Sequence, residues 1–255
     1  MKFKGLLRWE LERSFRFPIL EFTLAILLYR VFLVMFQFSA GVSDYVGSLP
    51  TSEEVPRKLW ESLIYHTGLA MVGSYIQMAV IFSTLASMLA YDFSSGCLRL
   101  QLSYPLSRSQ VFAAKILTYL VATTMLILTA YLATMNLLGG GVTPPELLPS
   151  LIALIGLTII EASYIFSIAL SMSLITRNTL ATFISSLLML LGLDSAAMTY
   201  KEPLSSLIPP SSLRRAVWML RRGSPIPLEG IITPMIVSGA LLAACYLYFS
   251  RRLEV

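Results

Sequence analysis

Residues Thr179 to Tyr200 read TLATFISSLLMLLGLDSAAMTY, and whether this stretch crosses a membrane decides the fold. Its uninterrupted apolar part, Thr179 to Leu193, has 15 residues. At 1.5 Å per residue that rises only about 22 Å, short of a hydrocarbon core of roughly 30 Å. Continued through Asp194 to Tyr200 it is long enough, with Asp194 held near the interface. Folded back as a re-entrant hairpin, it would leave five spans and put the C-terminus on the opposite side.

The rest of the chain supplies the setting. Five further segments approach spanning length: Pro18 to Ala40, Leu69 to Ala90, Val111 to Leu138, Leu147 to Ile175 and Gly230 to Phe249. Of 255 residues, 56% are apolar and 13% charged, whereas a water-soluble domain carries roughly 25% charged residues. The reading is therefore an all-α integral membrane protein with six transmembrane helices in a single transmembrane domain over residues 1–255.

Charge sets the expected orientation. Lys2, Lys4, Arg8, Arg13 and Arg16 precede the first segment, which is long enough to span and is read as an uncleaved anchor. With six spans both termini are expected to be cytoplasmic, in the cell membrane, with 11 Lys and Arg inside and seven outside. Five spans would give 14 inside and four outside, because Lys201, Arg214, Arg215, Arg221 and Arg222 would change sides. Six is preferred, since residues 179–200 are long enough and long loops cross with little regard to charge.

Two amphipathic stretches flank the spans. In the first, Leu7, Leu11 and Phe15 recur at helical spacing while Arg8, Glu12 and Arg16 form a ladder on another face, which predicts an interfacial helix. The second runs from Ser211 or Ser212 to Gly223 with Leu213, Ala216, Val217 and Leu220 on one stripe. It predicts an external amphipathic helix between the fifth and sixth spans, lying in the headgroup region or, more sharply, serving as a gate.

Between the second and third spans lies the most distinctive stretch, residues 91–108, YDFSSGCLRLQLSYPLSR. It reads as a helix ending near Gly96, a short apolar and basic helix to about Tyr104, a turn at Pro105, and a Ser107 or Ser109 cap on the next helix. This arrangement resembles the permease subunits of type-2 ABC transporters. Their connection between spans two and three commonly runs from an acidic residue through Gly-Thr and a leucine-rich turn to Pro-x-Ser-Arg and a later Lys. Asp92, Gly96, Leu98, Leu100, Leu102, Pro105, Ser107, Arg108 and Lys115 occupy those places, while Cys97 departs from the usual Thr.

The resemblance implies that residues 92–108 form a cytoplasmic coupling helix seated in a groove of a separate ATP-binding subunit. Asp92, Gly96, Leu98, Arg99, Leu102, Pro105, Ser107 and Arg108 would build that coupling element, with Leu98, Arg99, Leu102 and Arg108 touching the partner. It further implies a second permease subunit, in a homodimer whose interface carries the substrate path, and export as the direction. The sequence contains no G-x-x-x-x-G-K-[ST] phosphate loop. No cofactor is therefore expected in this chain, and ATP and magnesium are expected on the partner.

Charges inside spans are costly, at least about 2.5 kcal/mol each when unpaired. Glu21 lies near an edge, whereas Arg30 and Glu161 fall near the middle of antiparallel spans and are predicted to form a buried pair within one subunit or across the dimer. His66 has no ligand partners at metal spacing, and Cys97 and Cys245 make no disulfide framework. The net charge of +5 suits topology and a lipid surface, and no basic-aromatic motif points to nucleic acid. A channel or scaffold, or a membrane-embedded enzyme using Glu161 or His66, are the competing classes. The enzyme lacks a paired carboxylate or nucleophile-base constellation.

Overall fold

The computed structural model describes residues 3–16, 19–46, 62–63, 75–138, 145–200, 208–221 and 228–251. Nine helices run along them: α1 Phe3–Ser14, α2 Ile19–Val46, α3 Tyr75–Ser94, α4 Cys97–Ser103, α5 Arg108–Leu138, α6 Leu148–Thr176, α7 Thr179–Thr199, α8 Pro209–Arg221 and α9 Glu229–Arg251. There is no strand among the described residues. Six helices, α2, α3, α5, α6, α7 and α9, are long and apolar enough to cross a membrane. The protein is thus an all-α, multi-pass membrane protein.

The stretch that decides the count forms one unbroken helix. α7 has 21 residues, which rise about 31 Å, and it runs straight through Gly192 and Asp194. A re-entrant hairpin would break near its middle. The helix starts sharply because Asn178 accepts a hydrogen bond from Ala181 N at 3.1 Å, and Arg177 before it adopts a left-handed φ of 50°. That two-residue turn reverses the chain, so α6 and α7 form an antiparallel hairpin.

α6 is the central helix, packed against α3, α7 and α9. Its inner face carries hydroxyls that bond back to their own helix, such as Thr158 to the Leu154 carbonyl at 2.9 Å and Ser167 to that of Tyr164 at 2.8 Å, and one buried carboxylate, Glu161. α2 and α9 are the peripheral spans: of the 18-residue window in α2, 17% is buried. α2 therefore offers Leu28, Phe32 and Phe36 to its surroundings.

α5 carries one irregularity, a π-helical turn over Leu117–Ala122. The extra residue in this turn rotates the buried face, so that Thr118, Tyr119 and Leu120 are buried in succession.

Both amphipathic helices pack against protein. α1 buries Leu6, Glu10 and Ser14, a face turned one residue from the predicted Leu7, Leu11, Phe15 stripe. The expected ladder on its other side is present, with Arg8 Nε donating to Glu12 Oε1 at 2.7 Å. α8 buries Leu213, Ala216 and Val217 against Leu157 of α6, with Ile160 and Ile231 alongside. It is docked on the bundle by this stripe. Leu220 is in α8, but its side chain lies outside the described residues, as do Gly223 and His66.

Candidate functional site

The connection from α3 to α5 is rigidly punctuated. Gly96 ends α3 and caps α4 at φ 73° and ψ 4°, a left-handed conformation that suits glycine. Just before it, Ser95 Oγ donates to the Tyr91 carbonyl at 2.7 Å. After α4, Tyr104 is extended, as the residue before Pro105 tends to be. Of the two candidate caps, Ser107 begins α5: its Oγ accepts from Gln110 N at 3.2 Å, and Gln110 Oε1 accepts from Ser107 N at 3.0 Å. That reciprocal pair satisfies two otherwise orphaned N–H groups.

Within α4 the three leucines point different ways. Successive residues turn by about 100° in a helix, so Leu98 and Leu102 share a side and Leu100 does not. Leu98 is fully buried and Leu102 half-buried, while Leu100 is 67% exposed and Arg99, Ser103 and Tyr104 stand with it on the open side. Leu98 thus anchors α4 to the bundle and cannot touch a partner in this conformation. Pro105, Ser107 and Arg108 are exposed.

Beneath α4 lies a buried ion network. Lys115 Nζ of α5 donates to Asp92 Oδ2 at 2.5 Å and to Glu10 Oε1 at 2.8 Å. Glu10 also accepts from Gln101 Nε2 of α4 at 2.9 Å and from Tyr119 Oη in the π turn at 3.4 Å. Arg13 of α1 reaches Asp92 Oδ1 at 2.5 Å. Glu10, Asp92 and Lys115 are almost completely buried, and with the half-buried Arg13 the cluster is two carboxylates against two cations. Balance of this kind makes charge burial tolerable.

The network joins four helices: α1 by Glu10 and Arg13, α3 by Asp92, α4 by Gln101, and α5 by Lys115 and Tyr119. Aromatic contacts extend it. Arg13 lies over Trp9 and Tyr91. Arg177, at the α6–α7 turn, lies over Phe93 and donates to Tyr248 Oη of α9 at 2.6 Å. Phe93 is the platform for that arginine.

Electrostatics follow from this packing. Burial opposes the Arg13 charge, but Asp92, by charge and hydrogen bond, together with Cys97 and Tyr119 holds the guanidinium above its ordinary value. Burial and Asp92 together push the Cys97 thiol up, although Arg13 donates to its Sγ at 3.4 Å.

Sequence reasoning found Asp92 and Lys115 as motif positions but not Glu10, Arg13, Gln101 or Tyr119. One signal was available. Lys115 sits inside the segment read as the third span, and a charge there calls for a partner as much as Arg30 or Glu161 does.

Arg30 and Glu161 are not joined by an ion pair among the described residues. Arg30 donates to Gln77 Oε1 of α3, and Glu161 Oε2 is buried without a hydrogen-bond partner. α2 packs against α3 and α5.

Residues 20–252 match DUF2705, described as a protein of unknown function. The chain belongs to the DUF2705 family. No curated protein matches it. In this DUF2705 chain the matched region takes in Asp92, α4 and Lys115, whereas Glu10 and Arg13 precede it.

Proposed function

We propose that this DUF2705 chain is the membrane-spanning permease subunit of an ATP-driven ABC transporter, an exporter that works as a dimer. It is coupled through α4 to a separate ATP-binding subunit, which holds the ATP and magnesium. The observation that carries this reading is the clasp under α4. A connection that merely reverses the chain has no need to bury Glu10, Asp92 and Lys115, because burying charge costs free energy even when the geometry is good. A helix that must transmit force does need such fixing. Four elements gripped by one network move together, so a push on α4 reaches α3 and α5 instead of being absorbed locally.

The surface left for the partner is Arg99, Leu100, Ser103 and Tyr104, with Arg108 beside the following turn. Leu98, grouped with the contacts in the sequence reading, becomes the anchor under that surface. In this reading α4 and both termini face the cytoplasm, where ATP is available, and the peripheral α2 is open to lipid or to a second subunit.

The test is affinity purification of the tagged chain from its native membrane, with co-purifying phosphate-loop proteins identified and ATP hydrolysis assayed. An ATP-binding subunit that co-purifies with the parent and is lost with Arg99→Asp/Leu100→Asp supports the proposal. Purification without any such subunit contradicts it.

A further inference from the structure

On the end of the bundle away from α4, α8 lies against α6, α7 and α9. Its seam on α6 is short: Leu213, Ala216 and Val217 meet Leu157. Glu161 is four residues further along α6, on the same face and about 6 Å deeper. It is 1% exposed, and its Oε2 has no hydrogen-bond partner. Tyr75 Oη of α3 is likewise buried and unpartnered.

Arg214 follows Leu213 in that seam. It forms an ion pair with Asp194 near the end of α7, and its charge, like that of Arg30, acts on Glu161. The guanidinium thus bonds Asp194 of α7, while a second buried carboxylate, Glu161, lies one turn beyond the Leu213–Leu157 contact on the neighbouring α6 with its Oε2 unpartnered. A guanidinium presents five donors in a planar fork, which suits it to carboxylates approached from different sides.

We propose that Arg214 is shared by two carboxylates, exchanging between Asp194 and Glu161 as α8 shifts along α6. α8 is then a two-position element, held in the outer position by Asp194 and in the inner one by Glu161. The structure shows the outer position, with the inner carboxylate waiting. This inference draws on the helix bundle alone and stands whether or not an ATP-binding partner exists.

Distance measurement between spin labels tests it. Labels are placed at Ile159→Cys and Met219→Cys in the full chain carrying Cys97→Ser and Cys245→Ser, in lipid nanodiscs. The parent is expected to show two distance populations separated by about 5 Å, one helical turn. Glu161→Gln should remove the inner population, and Asp194→Asn should remove the outer one. A distribution left unchanged by Glu161→Gln overturns the proposal. Should Asp194→Asn fail to fold, the Glu161→Gln result alone decides.

Discussion

Lys115 and Asp92, 23 residues apart in sequence, meet at 2.5 Å inside the protein and so close the hairpin that carries α4. Glu10 approaches the same ammonium from α1, so this one cation fixes two helices to α5.

Removing that cation strands the buried Glu10 carboxylate and leaves Asp92 with Arg13 alone. Lys115→Met is expected to destabilise the protein by about 3–5 kcal/mol, the usual cost of breaking a buried pair by one partner. Restoring neutrality in Glu10→Gln/Lys115→Met, which leaves Asp92 paired with Arg13, should recover most of it. Thermal unfolding in detergent with ligand-free protein measures both, and equal losses in the two variants would sink the network's role in stability.

Gly96 is in the left-handed region with nothing within 4 Å of the position a Cβ would take. Gly96→Ala should therefore cost about 1 kcal/mol through backbone conformation alone. Gly96→Asn should cost less, because asparagine tolerates that region. An alanine variant as stable as the parent would show that the turn is not held at this φ.

How much of this was legible beforehand depended on the range of the signal. The six spans were, because apolar length is local and hydrocarbon thickness sets the scale. So were Gly96, Pro105 and Ser107, which punctuate the chain by their own stereochemistry. Glu10 was not, since it meets Lys115 across 105 residues and local periodicity placed the buried face one residue away. Grouping Leu98 with Arg99, Leu102 and Arg108 as partner contacts ignored the helical turn that puts Leu98 on the bundle side. The Arg30–Glu161 pairing rested on matched depth along two spans, and depth alone does not reveal Gln77 as the group that Arg30 reaches.

The two leucines offer a contrast within three residues. Leu98→Ala removes a fully buried side chain and should cost about 2–5 kcal/mol. Leu100→Ala removes an exposed one and should change stability by less than about 0.5 kcal/mol. Denaturant unfolding of the two variants checks this, and comparable losses would mean that α4 is turned differently.

Cys97 reports on the charges around it. Alkylation proceeds through the thiolate, so a thiol pushed up by burial and Asp92 reacts slowly near neutral pH and its rate profile lies to the alkaline side of a free thiol. Arg13 favours the thiolate. Arg13→Gln should therefore slow alkylation further, whereas simple loosening of the site would speed it. The sign of that change, measured across pH 6–10 or about that range, distinguishes the two.

The central claim is that α4 is the point at which a separate ATP-binding subunit drives the bundle. The direct measurement is ATP hydrolysis by the purified complex in nanodiscs, comparing the parent with Leu100→Asp at matched stability. The account predicts that the parent retains a phosphate-loop subunit and hydrolyses ATP, and that Leu100→Asp loses both while its helical fold is unchanged. Full retention of the subunit and its activity in Leu100→Asp would contradict it.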